Sequence, residues 1–264
     1  MPYLDLNNER IYYALTRSRL SGGLPIVLIH GAGENHLAWP AGLRRLSDAT
    51  VYAVDLPGHG KSTGAGRTTV KDYADWLAAF LDRLGTGPAI LIGHSMGGAI
   101  AQLMALNHPA RVAGLVLIAT GAKLRVSPLL LELAQRDLAA TAEWVSHAEW
   151  GSNVPEQIIR LGKQQMMTNR LDVIRGDYVA CDAFDVRDRL RQIKAPTLII
   201  SGTADQLTPI KFATFMAENI PDARLVPVPD AGHMVMIEAE AIATIEVENF
   251  VREVESRMTD TQRH

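Results

Sequence analysis

The chain has 264 residues, 47% of them hydrophobic, and a formal net charge of −3. That length suits one large α/β domain, or one domain with an insertion, and the composition is that of a chain with a full core. The near-neutral balance, with no basic run, argues against a nucleic-acid footprint or a membrane-binding tail.

In chain order, "YLDL" and "RIYYALT" flank Asn7-Asn8 and predict a hairpin. The opening stretch lacks a basic segment followed by an apolar core, so no signal peptide is expected. No apolar run reaches the length of a membrane span, and the expected location is the cytoplasm. Six short apolar runs follow, at 25–30, 50–55, 89–94, 113–120, 196–201 and 223–228. Continuous rather than alternating apolar character predicts parallel strands buried on both faces. Helical patterns stand between most of them, at 70–84 and 210–219, and a closing helix is expected over 241–258. The fold class expected is therefore α/β, a doubly wound, mostly parallel sheet. No internal repeat, linker or low-complexity tract interrupts it.

The alternation stops over residues 122–187, which carry helical patterns and no convincing strand. The expectation is a helical cap over 122–187, inserted into a core made of 1–121 and 188–264. It follows a strand's C-terminal end, where open α/β sheets bind ligands. Leu129, Leu130, Leu131, Trp144, Trp150, Met166 and Met167 are its apolar residues. Arg160, Lys163, Arg170 and Arg175 are expected on its solvated face. The one cysteine, Cys181, falls here and reads as a small buried hydrophobe.

The chemistry concentrates in "PAILIGHSMGGAI", residues 88–100. Gly93-His94-Ser95-Met96-Gly97 follows a strand and opens a helix, the context of a nucleophile elbow. There a serine is held in a strained conformation, which demands tiny neighbours. The helix behind it turns free N–H groups toward the hydroxyl. A nucleophilic serine needs a base, and after such an elbow the acid comes next in the chain, then the histidine. His30, His36, His59 and His94 precede or abut Ser95. His108 ends a helix, His147 lies in the expected cap, and His264 is the last residue. His233, in "PDAGHMVMIE" after a strand, remains. The acid should follow a strand between the two, and Asp205 in "GTADQLTP" does so. Asp182, Asp185 and Asp188 lie at the wrong end of that strand, and Asp230 is expected to shape a turn. The N–H of Met96, next to the nucleophile, is one expected oxyanion donor.

Together, "HGAG", "DLPGHGKS", "GHSMGG", "GTADQLTP" and "AGHMVMIE" resemble the α/β-hydrolase family, nearest its esterase, lactonase and cofactor-free haloperoxidase branch. The resemblance spans nearly the whole chain and is weakest over 122–187. It implies that the Ala32 N–H is the second oxyanion donor, that His30 braces that loop, and that Gly31 and Gly33 let it bend. It also implies that Asp55 and His59 are scaffold. Trp39 is expected as a pocket wall or packing residue. Ser95, rather than aspartate, at the elbow disfavours dehalogenase and epoxide-hydrolase chemistry. No metal motif or dinucleotide fingerprint is present, so no cofactor is expected. The activity expected is hydrolysis of a small or medium uncharged carboxylic ester or lactone by Ser95, His233 and Asp205. C–C bond hydrolysis, thioester hydrolysis or perhydrolysis on the same residues is the alternative. A non-turnover small-molecule receptor is a further one. The sequence does not set an oligomeric state.

Overall fold

Eight strands form one sheet in a computed structural model that describes residues 3–18 and 23–261; His264 lies outside the described residues. β1 (Tyr3–Leu6) and β2 (Glu9–Thr16) make the expected hairpin. Asn7 and Asn8 both have positive φ, 51° and 65°, as a two-residue turn between right-twisted strands requires. β2 pairs antiparallel with β4 (Thr50–Val54). The remaining pairings are parallel: β3 (Pro25–Ile29), β5 (Ala89–His94), β6 (Val112–Ile118), β7 (Thr197–Gly202) and β8 (Ala223–Val228) complete the order β1-β2-β4-β3-β5-β6-β7-β8. The chain leaves β3 toward one edge and returns at β5 to build toward the other. The carboxyl ends of β3 and β5 therefore flank the switch point, where a crevice forms in such sheets.

Strand alternation sorts the core into two layers. Leu91, Leu115 and Leu117 face α2 (Val70–Leu84), α3 (Met96–Asn107) and α8 (Ile210–Asn219). Ile90, Ile92, Val116 and Ile118 face the other side, with α1 (Ala41–Arg44) and the long closing helix (Glu240–Thr261). α2 begins where the Thr69 hydroxyl accepts from the Asp72 N–H, and ends at Gly85 in the left-handed conformation. β8 departs from the expected double burial: Arg224 and Pro227 are exposed. As the edge strand it has only one neighbour, and an edge tolerates proline.

Between β6 and β7 the chain makes α4 (Pro128–Arg136), α5 (Leu138–Ala148), α6 (Glu156–Met166) and α7 (Leu171–Ala183). They share a small core of Leu130, Ala134, Ala142, Val145, Met166, Ile174 and Tyr178. The entry and exit of this segment lie side by side, joined by an antiparallel bridge between Lys123 and Asp185. The Val186 N–H donates to the Ala122 carbonyl at 2.8 Å, and Lys123 Nζ reaches Asp185 at 3.0 Å. The one-turn helices α1 and α9 (Val235–Glu238) carry too few residues to show a period and are not foreseen from sequence; the closing helix is α10. Among the described residues, no helix is long and apolar enough to cross a membrane.

Phe250 of α10 is 2% exposed and lies over the backbone of β6 at Gly114. Phe250→Ala should lower the unfolding free energy by about 3–5 kcal/mol, the usual cost of emptying such a site. Urea unfolding checks this, and a loss under about 1 kcal/mol would show that α10 is not a principal cover of the sheet.

Candidate active site

Ser95 sits between β5 and α3 with φ 51° and ψ −116°, a conformation that side-chain-bearing residues rarely adopt. Its neighbours hold it there. The Ser95 N–H donates to the Ile118 carbonyl at 3.0 Å, and its own carbonyl accepts from Thr120 Oγ1 at 2.8 Å and from the Gly98 N–H at 2.9 Å. A Cβ on Gly93 would overlap the Gly97 carbonyl, and one on Gly97 would overlap the Ile29 carbonyl. These absent methyl groups let α3 start directly against β3 and β5. As the first residue of α3, Met96 has no intrahelical acceptor for its N–H.

The loops after β7 and β8 bring Asp205 and His233 together. His233 Nδ1 donates to Asp205 Oδ2 at 2.8 Å, and both residues are buried. Asp205 Oδ1 accepts from the Leu207 and Thr208 N–H groups, each at 2.8 Å, and Oδ2 also takes the Thr208 hydroxyl at 2.7 Å. Burial alone would push the Asp205 carboxyl up. The His233 charge and these hydrogen bonds outweigh it and hold the group well below the usual carboxylate range. With Nδ1 committed to Asp205, Nε2 is the ring nitrogen left for the cavity that His233 and Ser95 both line. The His233 N–H donates in turn to the Glu149 carbonyl at 2.8 Å. Asp230, at φ 60°, shapes the turn before it.

The loop after β3 is braced from below. His30 donates from Nδ1 to the Gly31 carbonyl at 2.8 Å and accepts at Nε2 from the Leu56 N–H at 3.0 Å. One ring nitrogen donates and the other accepts, so His30 is neutral; burial, then the His59 charge, lowers its pKa to about 4. His94 differs. Its Nδ1 faces Glu34 and its Nε2 faces the His233 carbonyl, each at 3.1 Å, so both nitrogens need protons. Burial opposes that charge, but Glu34 prevails and the His94 pKa is raised. Glu34 Oε2 also accepts from the Gly31 N–H at 2.7 Å.

Above Ser95 lies a cavity of about 440 Å³, and a lobe of about 160 Å³ adjoins it. Ala32, Ser95, Val145, Tyr178, Leu207 and His233 line both. The larger cavity is walled by Ile158, Leu161, Met166 and Ile237, with Glu34 and Glu149 as its carboxyl groups. Burial, then the Glu34 charge, pushes Glu149 up to about 8, which favours its uncharged form near neutral pH. Of the apolar residues of 122–187 named from sequence, Trp150 and Met166 reach this cavity and Leu130 and Trp144 the smaller lobe. Leu129 and Met167 are exposed, and Leu131 packs within the helical segment. Arg160, Lys163, Arg170 and Arg175 do not line either space; Lys163 pairs with Glu143 and Arg170 with Asp172. Trp39 is fully buried against the sheet rather than in the cavity wall. Cys181 is buried, and burial holds its thiol above the usual range. Asp182 and Asp185 serve the neck of the helical segment. Sequence reasoning missed Glu34, Glu149, Asp177 and Tyr178. None lies in a motif spaced from Ser95, and only the weak signal of acidic residues in apolar surroundings marks them.

The sequence model of the alpha/beta hydrolase family matches residues 26–245. The chain belongs to the alpha/beta hydrolase family. This alpha/beta hydrolase is 28% identical over 228 residues to a pimeloyl-[acyl-carrier protein] methyl ester esterase of Yersinia enterocolitica, covering 80% of this chain and 87% of that protein. Among solved structures it is similar to a thermophilic esterase, with TM-score 0.82 and 31% identity over 96% of this chain and 97% of that one. It is also similar to the enol-lactonase of Burkholderia xenovorans, with TM-score 0.88 and 26% identity over 95% and 100% of the two chains.

The buried neutral His30 gives the hydrolase a defined pH response. Its folded pKa, about 4, lies below the unfolded value of 6.5, so between these the unfolded chain binds the extra proton. Stability from this group is therefore lost as pH falls from about 6.5 toward 4, by up to about 1.4 kcal/mol per pH unit. Wild type should be increasingly penalised relative to His30→Gln over that window when urea midpoints are measured at fixed ionic strength. A difference independent of pH would contradict the assignment.

Proposed function

We propose that this alpha/beta hydrolase is a serine esterase that cleaves a small or medium uncharged carboxylic ester or lactone through an acyl-enzyme intermediate. The observation that carries this reading is the arrangement at one cavity: Ser95 at a strained elbow lines it together with His233, whose Nδ1 is locked to the buried Asp205. The esterase and lactonase relatives support it.

In this mechanism Ser95 Oγ attacks the substrate carbonyl while His233 Nε2 takes its proton. Asp205 keeps the other ring proton on Nδ1 and stabilises the imidazolium that forms. The N–H groups of Ala32 and Met96 receive the developing oxyanion. His233 then protonates the leaving alcohol, and water, activated by the same nitrogen, releases the acid. Residues 122–187 act as the cap that supplies the apolar roof. No lysine or arginine lines the larger cavity, and its His94 is already paired with Glu34, which favours an uncharged acyl group.

Ser95→Ala should fold as wild type does and lose hydrolysis by several orders of magnitude, on the order of 10⁶ where the nucleophile is the whole means of turnover. A fluorophosphonate should add one label to wild type and none to the variant. A label that survives in Ser95→Ala would place the nucleophile elsewhere.

The cavity sets the acyl preference. Across p-nitrophenyl esters of rising chain length, each methylene that fits should add up to about 0.8 kcal/mol, roughly fourfold in kcat/KM. The profile should rise and then fall once the space of about 440 Å³ is filled. A continued rise to the longest chains, with activation at a lipid surface, would identify a lipase instead.

A further inference from the structure

Gly33 is gripped at both ends of its peptide unit by the helical segment inserted between β6 and β7. Its N–H donates to Asp177 Oδ2 at 2.9 Å, although Asp177 lies 144 residues further along, on α7. Its carbonyl accepts from Asn169 Nδ2 at 2.7 Å, just before α7, and from Gln165 Nε2 at 3.3 Å. Gly33 has φ 69°, and a Cβ there would strike Ile174 Cδ1, again on α7. Both the hydrogen bonds and the packing of this helix therefore fit one backbone position.

Asp177 is itself tightly held. Oδ2 also accepts from His59 Nε2 at 2.7 Å, and Oδ1 accepts from the Tyr73 hydroxyl at 2.7 Å. Asp177, His59 and Tyr73 are all 0% exposed. His59 Nδ1 faces the Pro57 carbonyl at 3.1 Å, so both its nitrogens face acceptors and the ring is an imidazolium. The Tyr73 oxygen accepts from the Arg67 N–H at 3.0 Å. A buried carboxylate is costly unless it is fully paired, and this one is paired on both oxygens. One of its partners is the loop that borders Ser95.

The other side of Ala32 is fixed in the same way, by the Gly31 N–H on Glu34. The amides before and after Ala32 each donate to a buried carboxylate. Among the described residues, the Ala32 N–H between them meets no protein acceptor.

We propose that Asp177, with Asn169, is a positioning residue of the oxyanion site: it pins Gly33 so that the Ala32 N–H points at the carbonyl under attack. The inserted segment then contributes to transition-state binding as well as roofing the cavity. This rests on the assignment of Ser95 as nucleophile and of Ala32 as donor. Asp177 does not touch the substrate in this scheme; it acts through Gly33.

The test compares wild type, Asp177→Ala, Asp177→Asn and Asn169→Ala, with a p-nitrophenyl ester as substrate and phenylboronic acid as the tetrahedral analogue. Displacing an oxyanion donor without removing it should cost on the order of 10–100-fold. Asp177→Ala should lower kcat by that factor with KM within about twofold, and should weaken phenylboronic acid by the same factor. Asp177→Asn should recover part of both, because its amide oxygen can still accept from Gly33 although His59 loses its charged partner. A purely structural role would move the melting temperature without this parallel loss. If Asp177→Ala does not fold, Asn169→Ala decides, since it releases the same glycine through its carbonyl. It should lose about tenfold in kcat and in boronate affinity together. A folded Asp177→Ala, or in its place Asn169→Ala, with kcat and boronate affinity within twofold of wild type overturns the proposal. Fluorophosphonate labelling of wild type, mapped by mass spectrometry, separates the two levels. An adduct on Ser95 alongside unchanged variants overturns the clamp alone, and its absence overturns the serine assignment and the clamp with it.

Discussion

The positive φ of Ser95 depends on a backbone contact with no room for a methyl group. Gly97 lies against the Ile29 carbonyl at the end of β3, and Gly93 against the Gly97 carbonyl. This contact lets α3 begin at the point where β5 ends, so the Met96 N–H opens toward the space above the switch point. It also sets the distance between the loop after β3 and the elbow, and so between the two proposed oxyanion donors. Displacing α3 to fit a side chain at either glycine would disturb the serine, the helix N-terminus and the β3 loop together.

Beneath that corner the protein buries an unusual amount of charge. Asp55, Asp177, Asp205 and Glu34 are each 9% exposed or less, and each accepts from at least one backbone N–H. The histidines sort by their partners. His30 has one acceptor and one donor and is neutral, while His59 and His94 have acceptors on both sides and carry a proton. Buried charge of this kind contributes little net stability but fixes geometry closely, since any misplaced group leaves an unpaired ion in the core. Here the fixed geometry belongs to the loops around Ser95. The cavity above them is mostly apolar; its polar lining is Ser95, His233, Gln165, the paired His94 and Glu34, and Glu149, whose carboxyl burial pushes up to about 8.

The inserted helices are attached to both sides of that cavity. On one side Asp177 and Asn169 hold Gly33. On the other, the Glu149 carbonyl takes the N–H groups of His233 and Met234, and Glu238 accepts from both Gly151 and Gly232. A Cβ on Gly232 would overlap the Gly151 amide, so the two loops meet backbone to backbone. The segment is thus tied both to the loop after β3 and to the loop that carries His233. Leu37 and Leu161 line the cavity and are exposed to solvent.

The core strands, the hairpin at Asn7-Asn8 and the elbow at Ser95 were legible in the sequence because each rests on local chemistry. Apolar runs, turn asparagines and glycines two residues either side of a serine act within a few positions of one another. Asp205 and His233 were legible by chain order and loop position, and the structure brings them within 2.8 Å. What only the tertiary structure decided is which residues of 122–187 face inward. Met166 and Met167 are neighbours, yet one lines the cavity and the other faces solvent, because helix phase relative to the sheet is a packing outcome. Asp177 reads as one more polar residue in "RGDYVACDAF". Its meaning comes from Gly33, His59 and Tyr73, which lie more than a hundred residues away in sequence and converge on it only when α7 packs onto the loops after β3 and β4.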